Sequence, residues 1–380
     1  MPVAPVDDRG TVLYYEDMGP PPGSTAYTTL VLVHGAGFHG AAQASFRRMI
    51  PFAAEHNLRF ITPNLRDYPG STSYTQQELD DLSSPGREQQ ERALRARALE
   101  LATFLQWLIQ TGDIAPIRST PEGERDTGGI SLLSWSAGNC QTMGLLAYAD
   151  QLSKEPRNLL GAYLRSYVLY DVIMTCAEPS LASTGGPVPA GLQAIKATRE
   201  PWMSLDDLNR AFSLSVSAYY PPFTFPQSID PLPSYPPRLA LHEESDHLAR
   251  GLTPTTSRMT REELRDVVQV EVIDTYGSQN LLRQLNLAIY KANVERALFD
   301  RRYTVGDVLE EVWPALGVHV VWCDMSVGDC VWASVLLHHR HAAADPEWRR
   351  PMTVHKLAGA NHFVHWEEPE RFVKMLAGII

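Results

Sequence analysis

The sequence predicts an α/β protein: a mostly parallel central sheet covered by helices, with a mainly helical segment inserted before the last strands. Three observations carry this. Near-continuous apolar runs, the mark of strands buried on both faces, alternate with segments of helical period. Strand, helix and strand repeat in the order that gives right-handed crossovers and parallel neighbours. The alternation stops after Asp171 and resumes at Val318. Residues 1–171 and 303–380 are therefore expected to form one core, and 172–302 an insertion lying over the C-terminal ends of its strands. A length of 380 residues suits one large domain so interrupted.

The elements follow in order. Gly10 to Tyr15 is a short β-branched and aromatic run, closed by the turn Gly19-Pro20-Pro21-Pro22-Gly23. Thr28 to Val33 is a buried strand that stops at His34-Gly35-Ala36-Gly37. Phe38 to Glu55 reads as a helix, with Phe46, Met49, Ile50 and Ala53 at helical spacing. Leu58 to Thr62 is a second buried strand, followed by the polar turn from Pro63 to Ser71. Gly86 to Gln110 is a strong helix on Leu94, Ala98, Leu101, Leu105 and Leu108, closed by Gly112. Ala115 to Gly128 is a polar surface loop. Ile130 to Ser134 is a third strand that runs into Trp135-Ser136-Ala137-Gly138 and a helix to about Leu152. Tyr163 to Tyr170 is a fourth, ending at Asp171.

Within the insertion, Leu205 to Tyr220 and Asn280 to Phe299 are helical. Between them seven prolines fall from Pro221 to Pro237, and a chain with fixed φ and missing donors carries neither helix nor central strand there. Strand Val318 to Cys323, a helix from about Gly328 to Ala344, strand Thr353 to Leu357 and a helix from Glu368 to Ile380 complete the core.

Composition removes several function classes. Lys plus Arg is 33 against 44 Asp plus Glu, a net charge of −11, which argues against a nucleic-acid surface. No run approaches the roughly 18 apolar residues of a membrane span. The first residues, Met1 to Asp8, lack the basic and apolar regions of a signal peptide. Four cysteines make no disulfide framework, so a cytoplasmic setting is expected.

The chemistry concentrates at three strand ends. Ser134-Trp135-Ser136-Ala137-Gly138 joins a strand to a helix, and a serine on so sharp a turn has an exposed hydroxyl and needs small neighbours two residues either side. Gly138 meets that need, and Ser134 stands where glycine is usual. The amides of Ala36, Gly37 and Ala137 are placed to face a developing oxyanion. Gly359-Ala360-Asn361-His362-Phe363 follows the last strand, where a loop can bring an imidazole to the serine. His365 is a second candidate base that reads better as packing, and His34 reads as an organiser of its own loop.

With these residues the chain resembles the α/β-hydrolase family over nearly its whole length. The shared landmarks are Leu13 to Gly19, His34-Gly35, the turn from Arg66 to Ser71, the Ser136 turn and His362, with nucleophile, acid and histidine in the family's order. The resemblance implies a Ser136–His362–carboxylate triad. Its usual acid position falls on Ser326, with Asp324 and Asp329 nearby. A family variant places the acid one strand earlier, where Asp171 stands. Asp171 is the preferred candidate, with Asp324 and Asp329 as alternatives.

The expected activity is hydrolysis of a small apolar or aromatic ester, thioester or lactone through an acyl-enzyme. Another reaction in the same site (C–C hydrolysis, a lyase, acyl transfer) and a non-catalytic ligand-binding role are the rivals. Epoxide hydrolase and dehalogenase chemistry fits less well, because members with those activities carry Asp where Ser136 stands. Trp202, Tyr219, Tyr220, Phe223, Phe225 and Tyr235 are candidates for the pocket or for gluing the insertion to the core. No cofactor is expected, and no metal: the histidines of His242-Glu243-Glu244-Ser245-Asp246-His247 are one residue too far apart to share a helix face. The expected partner is a small-molecule substrate, with a homodimer left open.

Overall fold

A computed structural model describes residues 2–40, 45–118, 127–177, 204–227, 251–274, 276–305 and 307–380. The strands, in chain order, are β1 (Val3–Pro5), β2 (Val12–Asp17), β3 (Thr28–Val33), β4 (Leu58–Pro63), β5 (Ile130–Trp135), β6 (Leu164–Tyr170), β7 (Arg302–Val305), β8 (Val308–Glu311), β9 (Gly317–Cys323) and β10 (Met352–Leu357). Eight of them form one sheet, in the spatial order β1-β2-β4-β3-β5-β6-β9-β10. The pairs β1–β2 and β2–β4 are antiparallel, and every pair from β4 to β10 is parallel. This is the mostly parallel sheet that the alternation implied. The inner strands β3, β4, β5 and β6 are buried almost throughout, as apolar runs covered on both faces must be.

Two features of the topology fix where a site belongs. From β3 the chain crosses to β4 on one side, while β5 lies on the other, so the crossover direction reverses between β3 and β5. A crevice opens at such a reversal, outside the C-terminal ends of the strands. The register also brings those ends level: Val33 pairs with Ser134, Trp135 with Tyr170, and Tyr170 with Val321. The residues that follow, His34, Ser136, Asp171 and the loop after Cys323, consequently emerge on one rim.

The helix Arg87–Thr111 buries the predicted Leu94, Ala98, Leu101, Leu105 and Leu108. It also buries Arg97 and Glu100, which form a closed ion network with Arg66 and Glu78. That network ties the turn after β4 to the helical layer. Helix Gln76–Ser83 lies between them, started by a capping box of Thr75 and Glu78 that apolar periodicity alone passes over.

Three local expectations differ. Phe38–Glu55 is not one helix: Phe38 bridges to Val268, and short helical turns follow at Arg47–Met49, Ile50–Ala53 and Ala54–His56. The backbone around Phe38 is engaged by the insertion, with the His39 amide on the Val267 carbonyl and the Gln269 amide on the Gly37 carbonyl. Helix Lys154–Tyr163 precedes β6, where no element was expected. The antiparallel pair β7–β8 stands outside the main sheet. In the sequence, Gly306-Asp307 between β-branched runs is a hairpin signal that the α/β alternation hides.

In the segment 172–302 the described residues contain helices Leu205–Ser217, Arg261–Val267, Ser278–Arg283 and Leu287–Val294. Phe212 stacks on Phe38, with centroids 6.0 Å apart. Trp202, Tyr235, the prolines from Pro231 to Pro237 and the His242–His247 motif lie outside the described residues.

Candidate active site

Ser136 follows β5 directly and opens a helical stretch that continues as Asn139–Ala147. Its φ is +54°, a left-handed backbone that costs a non-glycine residue about 1–3 kcal/mol and persists only where neighbours enforce it. The Asn139 side-chain amide donates to the carbonyls of both Ser134 and Ser136, each at 2.9 Å. Strand and helix close so tightly that a Cβ on Gly138 would lie 2.3 Å from the His34 carbonyl oxygen. That is the physical reason for a glycine two residues after the serine.

His34 is fully buried and organises the neighbouring loop. Its Nδ1 donates to the Gly35 carbonyl at 2.8 Å, and its Nε2 accepts from the Leu65 amide at 3.0 Å. Burial lowers its pKa to about 3, so the ring is neutral in the folded chain. Of the two amides expected from this loop to face an oxyanion, that of Gly37 instead donates to the Tyr68 hydroxyl at 2.9 Å. Gly37 is thus corrected to a loop-shaping residue, with φ +76° and no room for a Cβ beside Phe212. Ala36 and Ala137 line the pocket together with Ser136.

These shifts set a pH dependence. An unfolded His34 titrates near 6.5 and the folded one near 3, so between those values the unfolded state holds a proton that the folded state lacks. Stability from this residue is therefore lost as pH falls below about 6.5, by at most about 1.4 kcal/mol per pH unit. Burial lowers the His365 pKa as well, with the same sign. Urea unfolding of the wild type should weaken steadily from pH 7 to pH 5, and His34→Gln should flatten that slope. Equal slopes in the two proteins would count against it.

Asp171 follows β6 directly, with φ +42°, and is wholly buried. Its Oδ2 lies 2.9 Å from His362 Nδ1. The carboxylate also accepts from the Cys323 amide at 2.9 Å and from the Ser326 hydroxyl at 2.7 Å. Asp324 turns elsewhere: it accepts from the Gly359 amide and pairs with Lys356. Asp329 lines the pocket without appearing on the imidazole. Ser326, at the usual acid position, supports Asp171 and lies 3.3 Å from His362 Nδ1. Spacing alone did not mark Ser326 and Cys323 as partners of Asp171; only the register of β6 against β9 does.

The histidine loop is held from below and above. Trp135 Nε1 and the Tyr170 hydroxyl both donate to the His362 carbonyl, and Asn361 donates to Ser217 and Thr255 of the insertion. His365 is wholly buried among Trp135, Phe46 and Phe363, with its Nδ1 on the Tyr170 hydroxyl. It packs.

Ser136 and His362 open into one pocket. Its apolar wall comes from Phe38, Trp135, Val327 and, from the insertion, Ile173, Phe212 and Val216. Tyr219 packs with Met325 instead, and Phe223 and Phe225 pack beside Trp332, so these aromatics sit against the chain that follows residue 302. Asp171, Cys330 and His362 are the one group among the described residues whose donor atoms are close enough to hold a metal ion. Burial pushes the Cys330 thiol well up, which opposes the thiolate that a metal requires. No helix among the described residues is long and apolar enough to cross a membrane.

The model of the Alpha/beta hydrolase family matches residues 30–375. Among curated proteins, none matches the chain. Similar solved structures include a point mutant of epoxide hydrolase from Solanum tuberosum, 16% identical, with 99% of this chain and 98% of that one covered and a TM-score of 0.53. A laboratory-evolved variant of potato epoxide hydrolase is 16% identical over 99% and 98%, with a TM-score of 0.51. A thermophilic esterase from Thermogutta terrifontis is 12% identical over 99% and 96%, with a TM-score of 0.46. At these identities the likeness concerns the fold.

Proposed function

The chain belongs to the alpha/beta hydrolase family, and from that footing we propose that it is a serine hydrolase acting on a small ester, thioester or lactone. The observation that carries the reading is the strained Ser136 at the end of β5, opening into the same pocket as an imidazole whose far nitrogen is engaged by a buried carboxylate. His362 donates its Nδ1 proton to Asp171, which leaves Nε2 as the base. Ser136 attacks the carbonyl carbon and its proton passes to Nε2. The amides of Ala36 and Ala137 receive the oxyanion, each worth about 3–4 kcal/mol of barrier. The imidazolium protonates the leaving group, and a water deprotonated by His362 then releases the acid.

Serine also argues against epoxide or haloalkane substrates. Their opening by Ser136 would give an alkyl ether, which water cannot cleave as it cleaves an ester. The described part of 172–302, which supplies Ile173, Phe212 and Val216 to the pocket wall, acts in this reading as a cap. A p-nitrophenyl ester chain-length series, with fluorophosphonate labelling mapped by peptide mass spectrometry, tests the proposal. Turnover of short esters and an adduct on Ser136 are expected; neither turnover nor adduct would overturn it.

A further inference from the structure

Among the described residues, the pocket wall around Ser136 is apolar apart from the reacting groups, Asp329 and one cation, Arg283. Arg283 ends the helix Ser278–Arg283 and is only half-buried. Asp329 has a partner of its own. Arg283, in contrast, forms no hydrogen bond or ion pair among the described residues. Arg283 shares this wall with Ser136, His362 and Cys330.

A guanidinium that lines a mostly apolar pocket without an ion pair leaves its fork of donors open to an anion. A carboxylate is the matching group. The chain as a whole is acidic, at −11, and repels anions, so a ligand carboxylate needs a local cation to enter. We propose that the acyl group transferred to Ser136 carries a carboxylate that docks on Arg283, making the preferred substrate a half-ester of a short dicarboxylic acid. The inference rests on the serine-hydrolase reading for its chemistry, and on the pocket alone for its binding. A neutral ester of the same length leaves the guanidinium unpaired.

The test compares p-nitrophenyl hydrogen glutarate with p-nitrophenyl valerate by kcat/KM. It also measures, by calorimetry, binding of the corresponding anionic and neutral anilides, which are not readily hydrolysed. The wild type should favour the anionic member of each pair by about 10- to 100-fold. Arg283→Gln should bring both ratios close to one, and Arg283→Lys should leave an intermediate value. Ratios near one in the wild type overturn the inference whether or not the variants fold. Should Ser136 take no fluorophosphonate while the anionic anilide still binds through Arg283, the hydrolase reading falls and the carboxylate site stands. Should esters be hydrolysed without preference for the anion, the reverse holds.

Discussion

Ser136→Ala should abolish fluorophosphonate labelling and lower kcat for a p-nitrophenyl ester by about 10⁴- to 10⁶-fold. The size of the effect comes from the unit the serine belongs to. His362 has no other proton to take from a nucleophile, and a water in its place lacks the fixed position that the +54° backbone gives the hydroxyl. Residual turnover from the oxyanion amides and from binding sets the floor. Ser134→Ala is the control. The Ser134 hydroxyl is buried with no hydrogen-bond partner among the described residues, so its removal should leave kcat in place and stabilise the fold by about 1 kcal/mol. Unchanged esterase activity in Ser136→Ala would end the serine-hydrolase reading.

Asp171→Asn should cost about 10⁴-fold in kcat. An amide presents an N–H or a neutral oxygen to Nδ1, which favours the wrong imidazole tautomer and removes the counter-charge of the imidazolium. Asp324→Asn should cost far less, since that carboxylate holds the Gly359 amide and Lys356 rather than the imidazole. Ser326 offers a sharper probe. Its hydroxyl is already 3.3 Å from His362 Nδ1, so Ser326→Asp in the Asp171→Asn background should recover part of the lost activity. Equal losses in Asp324→Asn and Asp171→Asn, measured on the same ester, would remove Asp171 from the role assigned to it.

The parallel sheet was legible in the sequence because strands buried on both faces must be apolar throughout, as Thr28–Val33 and Ile130–Trp135 are. The Ser136 turn was legible for a similar reason: its geometry requires small residues at fixed offsets, and Gly138 satisfies a clash that no other residue avoids. His362 was found by its place after the last strand. Elements that depend on distant backbone were not. The segment around Phe38 has helical periodicity, yet its amides and carbonyls are taken by Val267 and Gln269 from over 200 residues away.

The same division runs through the site. Residue type and spacing marked the candidate nucleophile and base, because both sit on local turns whose chemistry is written in a few adjacent residues. They left three carboxylates open for the imidazole and two amides together beside Ala137. Only the tertiary structure decided among these. The pairing of β6 with β9 places the Asp171 carboxylate against Cys323, Ser326 and His362, and Tyr68 takes the Gly37 amide out of reach. Arg283 carried no signal in the sequence at all. A cation comes to line a pocket only when folding brings it beside other chemistry, and that depends on chain segments nearly 150 residues apart meeting at one rim of the sheet.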